Sequence, residues 1–272
     1  DGDGNAIVTG ISGGDYYTAK YAAADGALLW EKRFNGFANS TDQAVAVTVD
    51  GSGNVAVTGN SWNGFSGYDI YTAKYAVADG ALIWEQWYPS ALDSNGAIGV
   101  AADGNGNIVV SGYFGTAASD FITIKYAAAD GAELWSKIYN GPANGSDRPG
   151  AMALDGNGNV VVTGISSGDY YTAKYAAANG VLLWERRYNG PGNAGDVATA
   201  LALDLQANVL VTGYSRGNGT GDDYYTAKYA AADGALLWDT RFTSAGNNTD
   251  QAAALRVDGH GNAVVAGMSY NG

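Results

Sequence analysis

The sequence predicts an all-β fold assembled from a repeated four-stranded antiparallel unit, and three observations predict it. A motif reading Asp15-Tyr-Tyr-Thr-Ala-Lys20-Tyr21, a tight turn, then Leu29-Trp30 returns in near copies ending at Trp84, Trp135, Trp184 and Trp238, at steps of 54, 51, 49 and 54 residues. Each unit holds four short segments rich in Val, Tyr, Thr and Trp, separated by Gly, Asn and Asp turns. Gly interrupts any 3.6-residue pattern within them, which argues against helices. Four-stranded antiparallel units repeated about every 50 residues are the mark of a β-propeller.

The second unit shows the four elements in order. Segment a is Asp42–Asp50, segment b Asn54–Gly59, segment c Asp69–Tyr75 and segment d Ala81–Tyr88. The a–b joint is Asp-Gly-Ser-Gly-Asn, with near copies at 1–5, 103–107, 155–159 and 258–262, and the c–d joint is Ala-Asp-Gly-Ala or Ala-Asn-Gly-Val. Both supply the positive φ that tight hairpins need. Segments b and d are apolar on both sides, as strands buried between stacked sheets should be. Segment a carries small residues at alternate positions (Ala44, Ala46 and Thr48; Ala97, Gly99 and Ala101; Ala198, Ala200 and Ala202). Small side chains suit a strand crowded at a common axis, so a is placed innermost and d outermost.

Segments a, c and d each occur five times, but b occurs six times, starting at Asn5, Asn54, Asn107, Asn159, Asn208 and Asn262. The expectation is one propeller domain over 1–272, with units at 1–41, 42–94, 95–146, 147–195 and 196–249. Residues 250–272 then close a five-bladed ring, because closure removes exposed strand edges. Six blades with partial terminal blades, or a fragment of a larger propeller, is the alternative. Residue 1 falls on a turn inside the repeat, which suggests a segment of a longer protein.

The runs Tyr-Asn-Gly-Pro at 139–142 and 188–191, Asp-Gly-x-Gly-Asn-Val-x-Val-Thr-Gly and Asp-Tyr-Tyr-Thr-Ala-Lys-Tyr together resemble the bacterial β-propeller repeats known as SBBP or delta-60-type repeats. The resemblance spans essentially the whole chain. It implies a secreted or cell-surface bacterial protein and carries over no catalytic residue.

Composition narrows the function. A net charge of −13 with only 14 Lys plus Arg argues against nucleic acid and acidic membranes as partners. There is no Cys, hence no disulfide or thiolate metal site. No apolar run approaches the roughly 18 residues that span a bilayer. Gly-x-Ser-x-Gly, paired metal-binding His and phosphate-cradling loops are all missing, and no pair of carboxylates stands out from its repeat copies, which weighs against an enzyme and leaves a glycoside hydrolase as the third and least favoured alternative.

The a–b and c–d turns are short and nearly identical. The b–c and d–a connections share the opposite rim and vary, and variable loops on a rigid scaffold are where function concentrates. Three aromatic residues there are candidate ligand-binding residues: Trp62, Phe65 and Trp87, the last replacing Arg33, Ile138, Arg187 and Arg241 of the other units. They could stack on carbohydrate or anchor a protein partner, or simply fill a gap beneath a longer loop. Asp42, Asp147, Asp196 and Asp250, with Asn95, open segment a. They form a candidate oxygen-rich metal site suited to Ca2+, or else accept backbone N–H groups in their own turns. Lys20, Lys74, Lys125, Lys174 and Lys228 sit mid-strand and need acidic partners, from the Asp residues of segments a or c or from Glu31, Glu85 and Glu185. The resulting expectation is an extracellular binding or adhesion module presenting its variable rim to carbohydrate or protein. The alternative is a structural spacer or assembly subunit that self-associates through the unmatched b strand.

Overall fold

The computed structural model describes residues 1–65, 67–89, 94–115 and 118–270, all of them in strands, turns and loops. The chain divides into two compact units, Asp1–Tyr139 and Asn140–Gly272. Among the described residues there is no helix, so none is long and apolar enough to cross a membrane.

The first unit opens with a three-stranded sheet, β1 (Ala6–Ser12), β2 (Asp15–Tyr21) and β3 (Leu28–Phe34). Two four-stranded sheets follow, β4 (Asp42–Val49), β5 (Val55–Trp62), β6 (Tyr68–Tyr75) and β7 (Leu82–Tyr88), then β8 (Gly96–Ala102), β9 (Ile108–Phe114), β10 (Asp120–Tyr126) and β11 (Glu133–Tyr139). The second unit has β12 (Asp147–Leu154), β13 (Val160–Ser166), β14 (Asp169–Tyr175) and β15 (Leu182–Tyr188), then β16 (Asp196–Leu203), β17 (Val209–Arg216), β18 (Asp222–Tyr229) and β19 (Leu236–Phe242). It ends in a two-stranded sheet of β20 (Asp250–Val257) and β21 (Ala263–Ser269).

Every neighbouring pair is antiparallel, and each full sheet runs a-b-c-d with a and d at opposite edges, as the sequence predicts. Within the units the a strands pack on their neighbours, β4 on β8 and β16 on both β12 and β20. The last a strand, β20, bonds β21 in a two-stranded sheet, and the first sheet has three strands, which leaves five to six blades.

The cores lie between successive sheets. Trp30, Val55, Val57, Tyr71 and Tyr75 pack together between the first two, and Ala56, Trp84, Ile108, Val110 and Tyr126 between the second and third. Val161, Trp184, Val209, Tyr225 and Tyr229 repeat the arrangement in the second unit. Neighbours such as Val55 and Ala56 serve opposite cores, which is why segment b reads apolar on both faces.

Each a strand is bulged, with the register slipping between Ala44 and Ala46 and at the matching place in β8, β12, β16 and β20. The bulge turns a carbonyl toward strand b and explains the recurrent Thr-Gly there. A Cβ on Gly59 would lie 2.0 Å from the Gln43 carbonyl oxygen, and Gly112, Gly164, Gly213 and Gly267 face the same obstacle. Gly10, in the sheet without an a strand, faces open space.

The five lysines form the expected ion-pair ladder, and the partner is the Asp that opens each a–b turn. Lys74 Nζ lies 2.8 Å from Asp50, with both side chains 3 % exposed, and Lys20–Asp1, Lys125–Asp103, Lys174–Asp155 and Lys228–Asp204 repeat the pair at 2.7–2.9 Å. Burial alone would raise the Asp50 carboxyl. Hydrogen bonds from Lys74, from the Asn54 side chain and from the N–H groups of Asn54 and Ser52 outweigh it, leaving the group below its ordinary 3.8. Asp103, Asp155 and Asp204 are lowered by the same balance.

Asn54 Oδ1 in turn accepts the Val77 N–H, tying the a–b turn to the c–d turn. Lys74 Nζ and Trp84 Nε1 both donate to the Ala128 carbonyl of the following sheet, and Lys174 and Trp184 do the same to Ala231. The repeated Lys-Tyr and Leu-Trp are therefore one staple, holding a sheet to the c–d turn of the sheet that follows it within its unit. Where the final sheet has no such turn, Trp238 is 38 % exposed, against 5 % for Trp184.

Candidate binding site

Four of the d–a turns are built alike. Asn39, Asn144, Asn193 and Asn247 each adopt φ of 46–50° and close a turn by donating N–H to the residue three before, Gly36, Gly141, Gly190 or Ser244. Asn tolerates this left-handed conformation better than most residues. The residue after Gly36 is Phe37, where the corresponding turns carry Pro142, Pro191 and Ala245. The turn thus fixes an 88 % exposed aromatic ring at the rim of the second sheet.

The Asp that opens segment a anchors that turn. Asp42 Oδ2 accepts the Gly36 N–H at 2.6 Å, and Asp147, Asp196 and Asp250 accept Gly141, Gly190 and Ser244 at 2.5–2.7 Å. These are the candidate metal ligands, and one oxygen of each is taken by its own turn. Among the described residues no group of three or more His, Asp or Glu converges to hold a metal ion.

Phe37 joins Trp87 and Trp62 around one recess of about 260 Å³ in the first unit, lined also by Ser61, Asn63 and Asp69. Phe37 and Trp87 lie 5.1 Å apart with their planes tilted by 30°. Trp87 rests in turn on Tyr71, which stacks on Phe34 at 3.8 Å. Burial first, then Tyr75 and Glu85, push the Tyr71 hydroxyl far up, so it stays protonated and donates to Glu85 Oε2 at 2.8 Å. Trp62 is held edge-on to Tyr68, its cross-strand partner.

Two of the three expected aromatics therefore meet. Phe65 does not line the recess. It sits at the tip of a turn made by Asn63, whose Oδ1 accepts the Phe65 N–H, and it is 92 % exposed. Phe37 was missed by sequence reasoning, although Phe34-Asn-Gly-Phe37 beside the Tyr-Asn-Gly-Pro runs carried the signal.

The same strand tips elsewhere hold an arginine. Ser166 on β13 faces Asp169 on β14, and Arg187 of β15 donates to Ser166 Oγ at 2.7 Å, to the Ser166 carbonyl at 2.8 Å and to Asp169 at 3.2 Å. Arg241 repeats this with Ser215 and Asp223 at 2.7–2.9 Å. Arg33 donates to Ser12 and lies 4.9 Å over the Tyr17 ring. In the second sheet the facing pair is Ser61 and Asp69, and the position of the arginine is Trp87.

Repeated four-stranded antiparallel sheets with apolar cores between their faces define a β-propeller. Solved structures similar to the chain agree. They include a protein from Lactobacillus plantarum (13% identity, TM-score 0.57, covering 94% of this chain and 72% of that one) and the C-terminal WD40 domain of Sif2 (12%, 0.52, 96% and 78%). A third is the quinohemoprotein alcohol dehydrogenase ADHIIG of Pseudomonas putida HK5 (12%, 0.55, 96% and 60%). At these identities they show the fold alone. Among curated proteins none matches the chain. Residues 69–272 match the family model described as outer membrane protein assembly factor BamB, and the chain belongs to that family. The resemblance read from the sequence holds at the level of a bacterial β-propeller, and the family that matches is this one rather than the SBBP or delta-60-type repeats.

Proposed function

We propose that the chain is a non-enzymatic binding module of the bacterial envelope that holds a protein partner at the recess of its second sheet. The observation that carries this reading is the convergence of Phe37, Trp62 and Trp87 around Ser61, Asn63 and Asp69. In the turns, staples and inter-sheet stacks the repeat's polar and aromatic groups bond one another. At the recess large rings face outward beside a carboxylate, the composition of a protein-binding hot spot. Membership in a family described as an assembly factor favours protein over carbohydrate as the occupant.

The test is a screen of the immobilised chain against a displayed peptide library and a glycan array, repeated with Trp62→Ala and Trp87→Ala. The expected result is peptide ligands whose binding falls at least about tenfold in both variants, the loss of one hot-spot aromatic. Glycans bound in place of peptides would assign the recess to carbohydrate. Ligands held equally well by both variants would refute the site.

A further inference from the structure

Resting on that reading, we propose that the recess recognises a guanidinium group, an arginine side chain of the partner, which takes the place that the repeat's own arginine holds in other sheets.

The argument is internal to the molecule. In three sheets the strand tips carry a Ser on strand b, an Asp facing it on strand c and an Arg on strand d, and the Arg is bound by the Ser in all three. In the third sheet the arginine is replaced by Ile138 and the serine position is Phe114, so of the acceptor set only Asp120 remains. The second sheet alone keeps both Ser61 and Asp69 while replacing the arginine, by Trp87. Its recess is lined by those same two acceptors together with Trp62, Trp87 and Phe37.

A guanidinium fits this set for two reasons. Arg187 and Arg241 demonstrate that a Ser hydroxyl, a Ser carbonyl and an Asp oxygen at these tips match the planar fork of donors within 2.7–3.2 Å. The added rings supply faces on which a delocalised cation stacks, as Arg33 already does on Tyr17. A net charge of −13 attracts cationic partners at long range.

The experiment titrates the whole chain with N-acetyl-arginine amide, its neutral isostere N-acetyl-citrulline amide and N-acetyl-lysine amide, following tryptophan fluorescence and the indole N–H resonances. The expected result is saturable binding of the arginine amide with a dissociation constant on the order of 1–10 mM, and binding of the other two at least about tenfold weaker. Trp87→Arg restores the repeat's own cation and should abolish the response while leaving the melting temperature unchanged or higher. Asp69→Asn should weaken binding about tenfold or more, and Phe65→Ala should leave it unchanged. Equal binding of citrulline or lysine amide, no saturation in that range, or a wild-type response from Trp87→Arg each overturns the inference. A peptide without arginine that binds the wild type and is lost on Trp62→Ala would leave the recess standing as the binding site and remove only its guanidinium specificity.

Discussion

Replacing Asp50 by Ala should cost far more than its place in a hairpin turn suggests. The carboxylate accepts the N–H groups of Ser52 and Asn54 at 2.8 and 2.9 Å, the Asn54 side-chain amide at 3.2 Å and the Lys74 ammonium at 2.8 Å. Its removal leaves a buried ammonium facing only the Gly106 and Ala128 carbonyls, at 2.9 and 3.2 Å. Breaking one side of a buried ion pair costs about 3–5 kcal/mol. In urea unfolding this moves the midpoint down by roughly 1–5 M at an ordinary slope of about 1–3 kcal/mol/M. The control is Asp258→Ala. Asp258 makes the same turn bonds, to His260, Asn262 and the Asn262 amide, but the two-stranded sheet it belongs to has no c strand and hence no lysine. That variant should lose much less. Removing both charges in Asp50→Asn with Lys74→Met should recover most of the loss. Equal midpoints for Asp50→Ala and Asp258→Ala would refute the claim that the buried ladder, rather than the turn, sets the cost.

Because burial and hydrogen bonding together leave the Asp50, Asp103, Asp155 and Asp204 carboxyls below 3.8, the unfolded chain takes up their protons first as pH falls. Their stabilisation is complete above about pH 4 to 5 and is lost below it, so melting temperature should drop steeply between about pH 4 and 2; a flat profile there would contradict the sign. Gly59→Ala drives a Cβ into the Gln43 carbonyl and should destabilise by more than about 3 kcal/mol, whereas Gly10→Ala should be tolerated; comparison of their denaturation midpoints checks the bulge argument. Ala207 holds φ of 60° at the place filled by Gly53, Gly106 and Gly158 in other a–b turns. Ala207→Gly should therefore stabilise by about 0.5–1 kcal/mol, readable as a higher midpoint, and a lower one would show that the strain is not there.

The repeat period, the hairpin turns and the two-sided apolar strands were enough to give the sheet order and its a-to-d direction, because they depend on local backbone chemistry and a pattern written five times over. The need of the mid-strand lysines for acid partners was equally legible, since a buried ammonium cannot stand alone. Which acid served was a matter of register: alternation and the c–d bulge bring Asp50, not Glu85, against Lys74, while Glu85 takes the Tyr71 hydroxyl. The Asp residues opening segment a read as a repeated set of ligands in one dimension, and only the folded backbone shows that one oxygen of each accepts the N–H of a residue six before it. Likewise Phe37, Trp62 and Trp87 lie 25 residues apart in sequence and meet only because strands b and d and the preceding d–a turn end at one rim. The chain's own text fixed which residues depart from the repeat; folding decided which departures share a surface, because proximity across strands depends on register and loop path rather than on spacing.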